Sequence, residues 1–303
     1  MPLQNIALIG ASGTVGPSIL SALKASPYKP FVLNRASSKS TYGDTSVLTI
    51  PDDLDVPTIT SLFNENNIDA LVIAIAGSHV GPQRKLIDAA FAASVQLVIP
   101  ADFGSCDSDD DVTTEILPLM KGKKGLREYL QSLAAQERDG RPKFNWSSLV
   151  TGHFFDWGLS NELLKIDIRN RVAYLQDGGG IKFSGSNLGF IAEAVVRVLG
   201  KPEVWNRLLY VHSHHVTQLE LVDALEKATG EKFRRVQEDS KQVIAEHRLK
   251  VSQGDHEAIE VVVAVHGVVA SDWAGKEGFA NQILGLEEEN LEEVVRRVVQ
   301  DIK

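Results

Sequence analysis

The sequence predicts an α/β protein: a doubly wound parallel sheet followed by a second, smaller α/β region. Three observations lead there. Near the N-terminus an apolar run, Ile6-Ala7-Leu8-Ile9, enters three glycines spaced three apart, Gly10, Gly13 and Gly16, and then Ile19, Leu20 and Leu23 at helical spacing. Apolar runs and helix-period stretches alternate from there to Val150, the pattern of parallel strands joined by helices. Ala70 to Ala76 is apolar at every position, which suits a central strand covered on both faces.

Taken in order, Phe31-Val32-Leu33 reads as the second strand and Val47–Ile50 as a third. Val56 to Asn64 has helical spacing at Ile59, Leu62 and Phe63. Ala70–Ala76 is the central strand, closed by Gly77-Ser78. Gln83 to Ala93 is helical, and Val95–Ile99 is a strand that stops at Pro100. Asp107 to Asp111 reads as a solvated acidic loop. Leu126, Leu130 and Leu133 share one helical face, and Phe144 to Val150 is a strand running into the aromatic-rich Thr151–Trp157. Beyond Trp157 the alternation weakens. Val172–Leu175 and Ile181–Phe183 flank Gly178–Gly180 and read as a hairpin. Asn187 to Leu199 is a helix burying Ile191, Ala194, Val195 and Val198, and Leu208 to Val211 is a short strand. Thr217 opens a helix with Glu220 three residues on, a capping box, and Gly230 stops it. Ile259–Val269 and Leu291–Ile302 are further helices. The expected domains are residues 1–157 and 158–303, with about 187–200 packing back on the first.

The strand–glycine–helix context gives the first motif chemical content. Gly10 permits a tight turn, Gly13 lets a pyrophosphate approach the backbone, and Gly16 lets the helix pack on the strand. The N–H groups that open the helix then face an anion. The spacing is GxxGxxG, a variant of the Rossmann dinucleotide fingerprint. In an NAD-binding fold an acidic residue follows the second strand and takes the ribose 2′-hydroxyl. Here Asn34-Arg35 stands at that place, with Ser37, Ser38 and Lys39 after it. A guanidinium suits a phosphate, so NADP(H) is expected over NAD(H). Ligands on such sheets lie beyond the carboxyl ends of the strands. That singles out Gly10–Gly16, Ala76-Gly77-Ser78 and Pro100-Ala101-Asp102-Phe103-Gly104.

Composition bounds the partners. The 303 residues carry a formal charge of −9, with 43% hydrophobic residues and one cysteine, Cys106. The acidic balance argues against a nucleic-acid footprint. A single thiol makes no internal disulfide. With a strand starting at about the fifth residue, no signal peptide is expected. The longest apolar run is too short to span a bilayer. The expectation is a cytoplasmic monomer or homodimer acting on a small molecule, without membrane or nucleic-acid partner.

Several phrases together resemble one family. GASGTVG at 10–16, Asn34-Arg35, PADFG at 100–104, the lysine helix at 121–130 and TGHFFDWGL at 151–159 look like the NmrA-like, isoflavone reductase-like group of atypical short-chain reductases, and fungal members in particular. The likeness runs on through Val216–Leu221 and Leu284-Gly285-Leu286. It implies an NADPH-binding Rossmann domain and a small substrate domain. In reductases of the group a lysine near the nicotinamide assists catalysis, three residues before an apolar-Arg pair. Leu126-Arg127 is that pair here, so Lys123 matches. The implied cofactor set is Gly10, Ser12, Gly13, Thr14, Val15, Gly16, Arg35, Lys39, Ala76, Gly77, Ala101, Asp102, Phe103, Lys123, His153 and Phe154. Two departures bear on the substrate: Ala101-Asp102 replaces the usual Ser-Glu, and His153 stands where plant enzymes carry other residues. Regulatory relatives keep the nucleotide site without a productive lysine.

A reductase needs a hydride donor and a group that manages charge on the reduced atom. An ammonium stabilises a developing oxyanion or donates a proton. Lys121 and Lys124 turn to other helical faces than Lys123. The short-chain Tyr-x-x-x-Lys arrangement is absent. His212, His214 and His215 form a local cluster with no acidic or cysteine partner beside it in sequence, so a structural role is expected over a metal site. His153 and Asp156, beside aromatics after a strand end, are candidates for substrate contact. The expected function is NADPH-dependent reduction of a small aromatic or unsaturated carbonyl-type metabolite. The alternative is a non-catalytic dinucleotide sensor acting through a protein partner.

Overall fold

A computed structural model describes residues 2–302. Strand β1 (Asn5–Ile9) feeds the glycine turn and helix α1 (Gly16–Ala25). Next come β2 (Lys29–Arg35), β3 (Ser46–Ile50) and α2 (Val56–Glu65). Asp55 caps α2 by accepting the Thr58 N–H at 2.9 Å, the expected use of an aspartate at that place. Then follow β4 (Ala70–Ile73), α3 (Val80–Ala92), β5 (Leu97–Ile99), α4 (Asp111–Ile116), α5 (Leu119–Ala134) and β6 (Asn145–Val150). The expected central strand stops at Ile73, three residues early. Ala74 still donates to Ile9 O at 2.8 Å, but its carbonyl lies where a Cβ on Gly10 would stand, 2.4 Å away.

The remaining elements are β7 (His153–Phe154), α6 (Phe155–Ser160), β8 (Ile166–Asp167), β9 (Val172–Gln176), β10 (Lys182–Ser186), α7 (Leu188–Leu199) and β11 (Arg207–Tyr210). After them come β12 (His214–Thr217), α8 (Gln218–Thr229), β13 (Arg234–Glu238), α9 (Ser240–Ser252), α10 (Ala258–Val269), α11 (Asn281–Leu284) and α12 (Leu291–Ile302). Thr217 and Glu220 form the expected capping box, and Gly230 ends α8 in the left-handed conformation at φ 72°.

The chain divides into two compact units. One comprises the chain up to Phe103 with Lys121–Leu149 and Ile191–Leu209. The other comprises Gly104–Met120, Val150–Phe190 and the chain from Tyr210 onward. The first is built on a seven-stranded sheet in the order β11-β6-β5-β4-β1-β2-β3. The β1–β2, β1–β4, β2–β3, β4–β5 and β5–β6 pairs are all parallel. This is the doubly wound sheet that the alternation predicts. Its core joins strand residues such as Ile9, Leu71 and Val98 to Leu126, Leu130 and Leu133, the predicted helical face.

The second unit holds two three-stranded sheets, β12-β10-β7 and β13-β9-β8. The expected hairpin around Gly178–Gly180 does not form, because β9 and β10 belong to different sheets. Asp177, Gly178 and Gly179 all take positive φ and coil the chain into a 3-10 turn. The Asp177 carboxylate accepts the N–H and hydroxyl of Ser240 at 2.9 and 2.6 Å, tying the turn to α9. The acidic loop is likewise only partly solvated: Asp107 and Ser108 are buried, and Asp107 pairs with Lys276 at 2.9 Å. Among the described residues no helix is long and apolar enough to cross a membrane.

Candidate functional site

The first unit gathers the predicted strand ends at the carboxyl edge of its sheet. Gly10 has φ 85°, and a Cβ on Gly16 would lie 2.0 Å from Gly10 O. Neither position accepts a side chain, so the turn closes as tightly as the motif requires. Gly13 donates to Gly10 O at 2.9 Å, and it is exposed along with Ser12 and Thr14. Val15 is buried. Helix α1 opens with no side-chain cap and no acidic residue in its first turn, which leaves the positive end of its dipole uncompensated. Ala11 and Ser12 also edge an open cleft of about 890 Å³ between α1 and residues 40–43.

Arg35 ends β2 and is exposed, as is Lys39. Ser37 is less available than expected. Its hydroxyl and N–H both go to Asp52 Oδ1, at 2.5 and 3.2 Å, and these bonds hold the Asp52 carboxyl below its usual range.

After β5, Asp102 donates its N–H to Pro100 O at 2.8 Å, and Ala101 donates to the buried Gln83 Oε1 at 3.1 Å. Lys123 reaches this turn from α5. Only 6% exposed, it donates from Nζ to Asp102 O and Phe103 O at 3.3 Å each. Asp102 Oδ1 lies 4.0 Å from Nζ. One helical turn on, Arg127 donates to Asp102 Oδ2 at 2.7 Å, and both residues are buried. The ammonium is therefore held by carbonyl dipoles beside a carboxylate that an arginine already pins. Lys121 is exposed and Lys124 half-buried, as helical rotation demands. Sequence reasoning uses Arg127 only to align Lys123. Its own place follows from a period of four, which puts both cations on the buried face of α5. Gly77 lies next to Lys123, and Ala76 is exposed beside it.

His153 and Phe154 fall in the second unit. His153 is buried, and its Nε2 donates to Ala264 O at 3.2 Å. That bond selects the Nε2–H tautomer, and Nδ1 has no hydrogen-bond partner. Phe154 is half-buried. Asp156 Oδ1 accepts the N–H groups of Trp157 and Leu188 at 2.9 and 3.1 Å, a helix-capping duty. In the histidine cluster, Ser184 Oγ accepts the Trp273 N–H at 3.1 Å and lies 2.8 Å from His212 Nδ1, while His212 Nε2 lies 3.2 Å from Glu288. His215 bonds Asp272 at 2.9 Å, and His214 stacks on Phe155 with centroids 4.2 Å apart. Both carboxylates come from segments remote in sequence.

Burial pushes His153 down to about 4. The unfolded chain protonates the same ring near its ordinary value, so below about pH 6.5 the unfolded state binds the extra proton. Stability is thus present above pH 6.5 and lost as pH falls toward 4, by up to about 3 kcal/mol from this residue. His214 is lowered to about 4, chiefly by burial and then by His212 and Arg297, and acts in the same direction. In urea titrations from pH 7 to 4, His153→Gln is expected to flatten this slope. An unchanged slope contradicts the assignment.

Residues 2–139 match the model of the NmrA-like family. That match spans 138 of the 303 residues, so the chain is similar to that family over its N-terminal part. The oxidoreductase poxI of Penicillium oxalicum is 28% identical over 96% of this chain and 92% of its own length. The binary complex of leucoanthocyanidin reductase with NADPH from Vitis vinifera superposes with a TM-score of 0.81 at 14% identity, covering 98% of this chain and 99% of that one. The structure titled AtPrR2 with NADP+ and (+)pinoresinol gives 0.78 at 16% identity, with coverages of 98% and 99%. At these identities the two structures establish a shared fold.

Proposed function

We propose that this protein is an NmrA-like, NADPH-dependent reductase of a small aromatic or unsaturated carbonyl-type metabolite, with Lys123 as the residue that manages charge on the reduced group. The observation that carries this reading is a buried lysine held by two backbone carbonyls at the carboxyl ends of the parallel strands. A surface lysine has no reason to be drawn in there. The oxidoreductase among its relatives and the NADP+ and NADPH of the structures that share its fold support the same choice of cofactor.

The residues present suit that cofactor. The turn Gly10–Gly16, with Ser12, Thr14 and Val15, closes so tightly that a Cβ at Gly10 or Gly16 would strike backbone, and it opens on an uncapped helix start. Arg35 and Lys39 are exposed at the end of β2, where a 2′-phosphate would be held. When bound, NADPH supplies the hydride. Lys123 then stabilises negative charge on the acceptor oxygen or donates the proton that completes reduction. Its fixed ammonium needs little reorganisation to do so. Ala76, Gly77, Ala101, Asp102 and Phe103 line the same strand ends. We assign nucleotide binding to the first unit. Substrate recognition, with His153, Phe154 and the exposed Trp157, we assign to the second.

The test is NADPH oxidation against a panel of aromatic enones and related carbonyl compounds. Turnover of any member supports the reading. NADP(H) binding with no turnover across the panel favours a dinucleotide sensor instead. Cofactor preference is separately testable. One charge-assisted phosphate contact is worth about 1.5–3 kcal/mol, roughly a ten- to hundredfold preference for NADP(H), and Arg35→Asp is expected to reverse it. Equal affinity of the wild type for both dinucleotides in titration calorimetry would overturn that assignment.

A further inference from the structure

We infer that Gly77 and Gly122 are positioning residues for Lys123, forming a reciprocal seat that docks the turn after β4 onto α5. The inference rests on the reading of Lys123 above and adds what holds that lysine in place. A Cβ on Gly77 would lie 2.5 Å from Lys123 Cε, 3.4 Å from its Nζ and 3.3 Å from Ala101 O. A Cβ on Gly122 would lie 2.6 Å from Val80 Cγ2. Each segment therefore lays one side chain over the other's glycine. Lys123 of α5 crosses Gly77, and Val80, the first residue of α3, crosses Gly122.

Neither glycine is there for its backbone. Both lack the positive φ that would demand glycine, so an alanine meets no conformational penalty at either position. Gly122 also sits inside α5, where glycine is a poorer helix former than alanine. A glycine kept against propensity points to close packing, and Val80 supplies it. At Gly77 the obstacle is the lysine itself. Its stem crosses bare Cα to bring Nζ to the carbonyls of Asp102 and Phe103, beside the carboxylate that Arg127 pins. The lysine side chain is flexible, and the nearest backbone atom, Ala101 O, would lie 3.3 Å from the added Cβ. Gly77→Ala therefore moves the ammonium while sparing the sheet. The seat is a steric device: the bare Cα of Gly77 leaves room for the helix-borne lysine to reach the strand ends.

The experiment uses the full chain without cofactor. Lysines are acylated with limiting acetic anhydride, and labelling is read peptide by peptide, with the exposed Lys121 as internal reference. In Gly77→Ala the labelling rate of Lys123 relative to Lys121 is expected to rise about tenfold, as a buried ammonium is displaced toward solvent. Gly81→Ala is the control, because nothing lies within 4 Å of its added Cβ, and it leaves the ratio unchanged. Melting temperature supplies a second measurement. Gly77→Ala is expected to lower it more in the wild-type background than in a Lys123→Ala background, where the clash with the lysine stem is gone and only the 3.3 Å approach to Ala101 O remains. An unchanged labelling ratio, or an equal loss of melting temperature in both backgrounds, overturns the seat. Once a substrate is in hand, Gly77→Ala lowers kcat, and adding it to Lys123→Ala lowers kcat no further. If labelling responds but Lys123→Ala turns over like wild type, the seat stands and the catalytic reading of Lys123 fails.

Discussion

Lys123→Ala is expected to lower kcat by about 10² to 10⁴, the range for loss of a positioned general acid, with NADPH affinity changed by no more than about threefold, under 1 kcal/mol. The split follows from geometry. The ammonium sits at the ends of β4 and β5, against Gly77 and the carbonyls of Asp102 and Phe103. The residues proposed to hold the phosphates are on the glycine turn and at the end of β2. Removing the lysine leaves Asp102 paired with Arg127 at 2.7 Å, so the carboxylate is not stranded as an unpaired buried charge. Lys121→Ala is the matched control, because Lys121 is exposed on the same helix, and it is expected to act like wild type. The measurement is single-turnover NADPH oxidation with a substrate from the enone panel, alongside cofactor titration for each variant. Wild-type rates in Lys123→Ala would show that the lysine is not the catalytic group.

Gly13→Val is expected to abolish NADPH binding, a loss of at least about a hundredfold, or ~3 kcal/mol, in a chain that still folds. The three glycines of the motif are not equivalent. A Cβ at Gly16 meets Gly10 O at 2.0 Å and one at Gly10 meets Ala74 O at 2.4 Å, both backbone atoms, so side chains there deform the turn itself. At Gly13 the nearest atoms are Gly10 O at 3.3 Å and Ala74 O at 3.5 Å, and φ is not positive. The chain tolerates a side chain at Gly13 with a small adjustment. Its branched end then occupies the exposed side of the turn, where a pyrophosphate has to approach the backbone. Calorimetric titration with NADPH, paired with a thermal melt, checks both halves. Unaltered affinity contradicts the loop's assignment, and a collapsed melt shows that Gly13 serves packing instead.

Much of the architecture was legible because it rests on local physics. Ile6–Ile9 followed by Gly10, Gly13 and Gly16 can hardly be anything but strand, turn and helix, since only glycine satisfies the steric demands at Gly10 and Gly16. Thr217 with Glu220, and Gly230 with its φ of 72°, mark the ends of α8 through contacts within a few residues. The face of Leu126, Leu130 and Leu133 follows from the helical period alone. Motif likeness points to Lys123, and the helical period of its neighbours puts it on the buried face of α5.

What tertiary structure alone decided was every pairing between segments distant in sequence. Local pattern marks a strand but does not choose its neighbour. Thus β9 joins β13 and β8, while β10 joins β12 and β7, although Gly178–Gly180 between them resembles a hairpin turn. Charge in sequence does not reveal burial either: Asp107 reads as a solvated acid until Lys276 arrives from far along the chain. The same holds for the histidines, whose carboxylates come from Glu288 and Asp272. At the candidate site, the sequence by itself determined the glycine cradle, Arg35 and the presence of a lysine helix. Only the folded sheet brought the end of β4 beside α5, because hydrophobic burial packs whole elements and thereby sets which side chains meet. That packing laid Lys123 across Gly77 and put Asp102 within reach of Arg127.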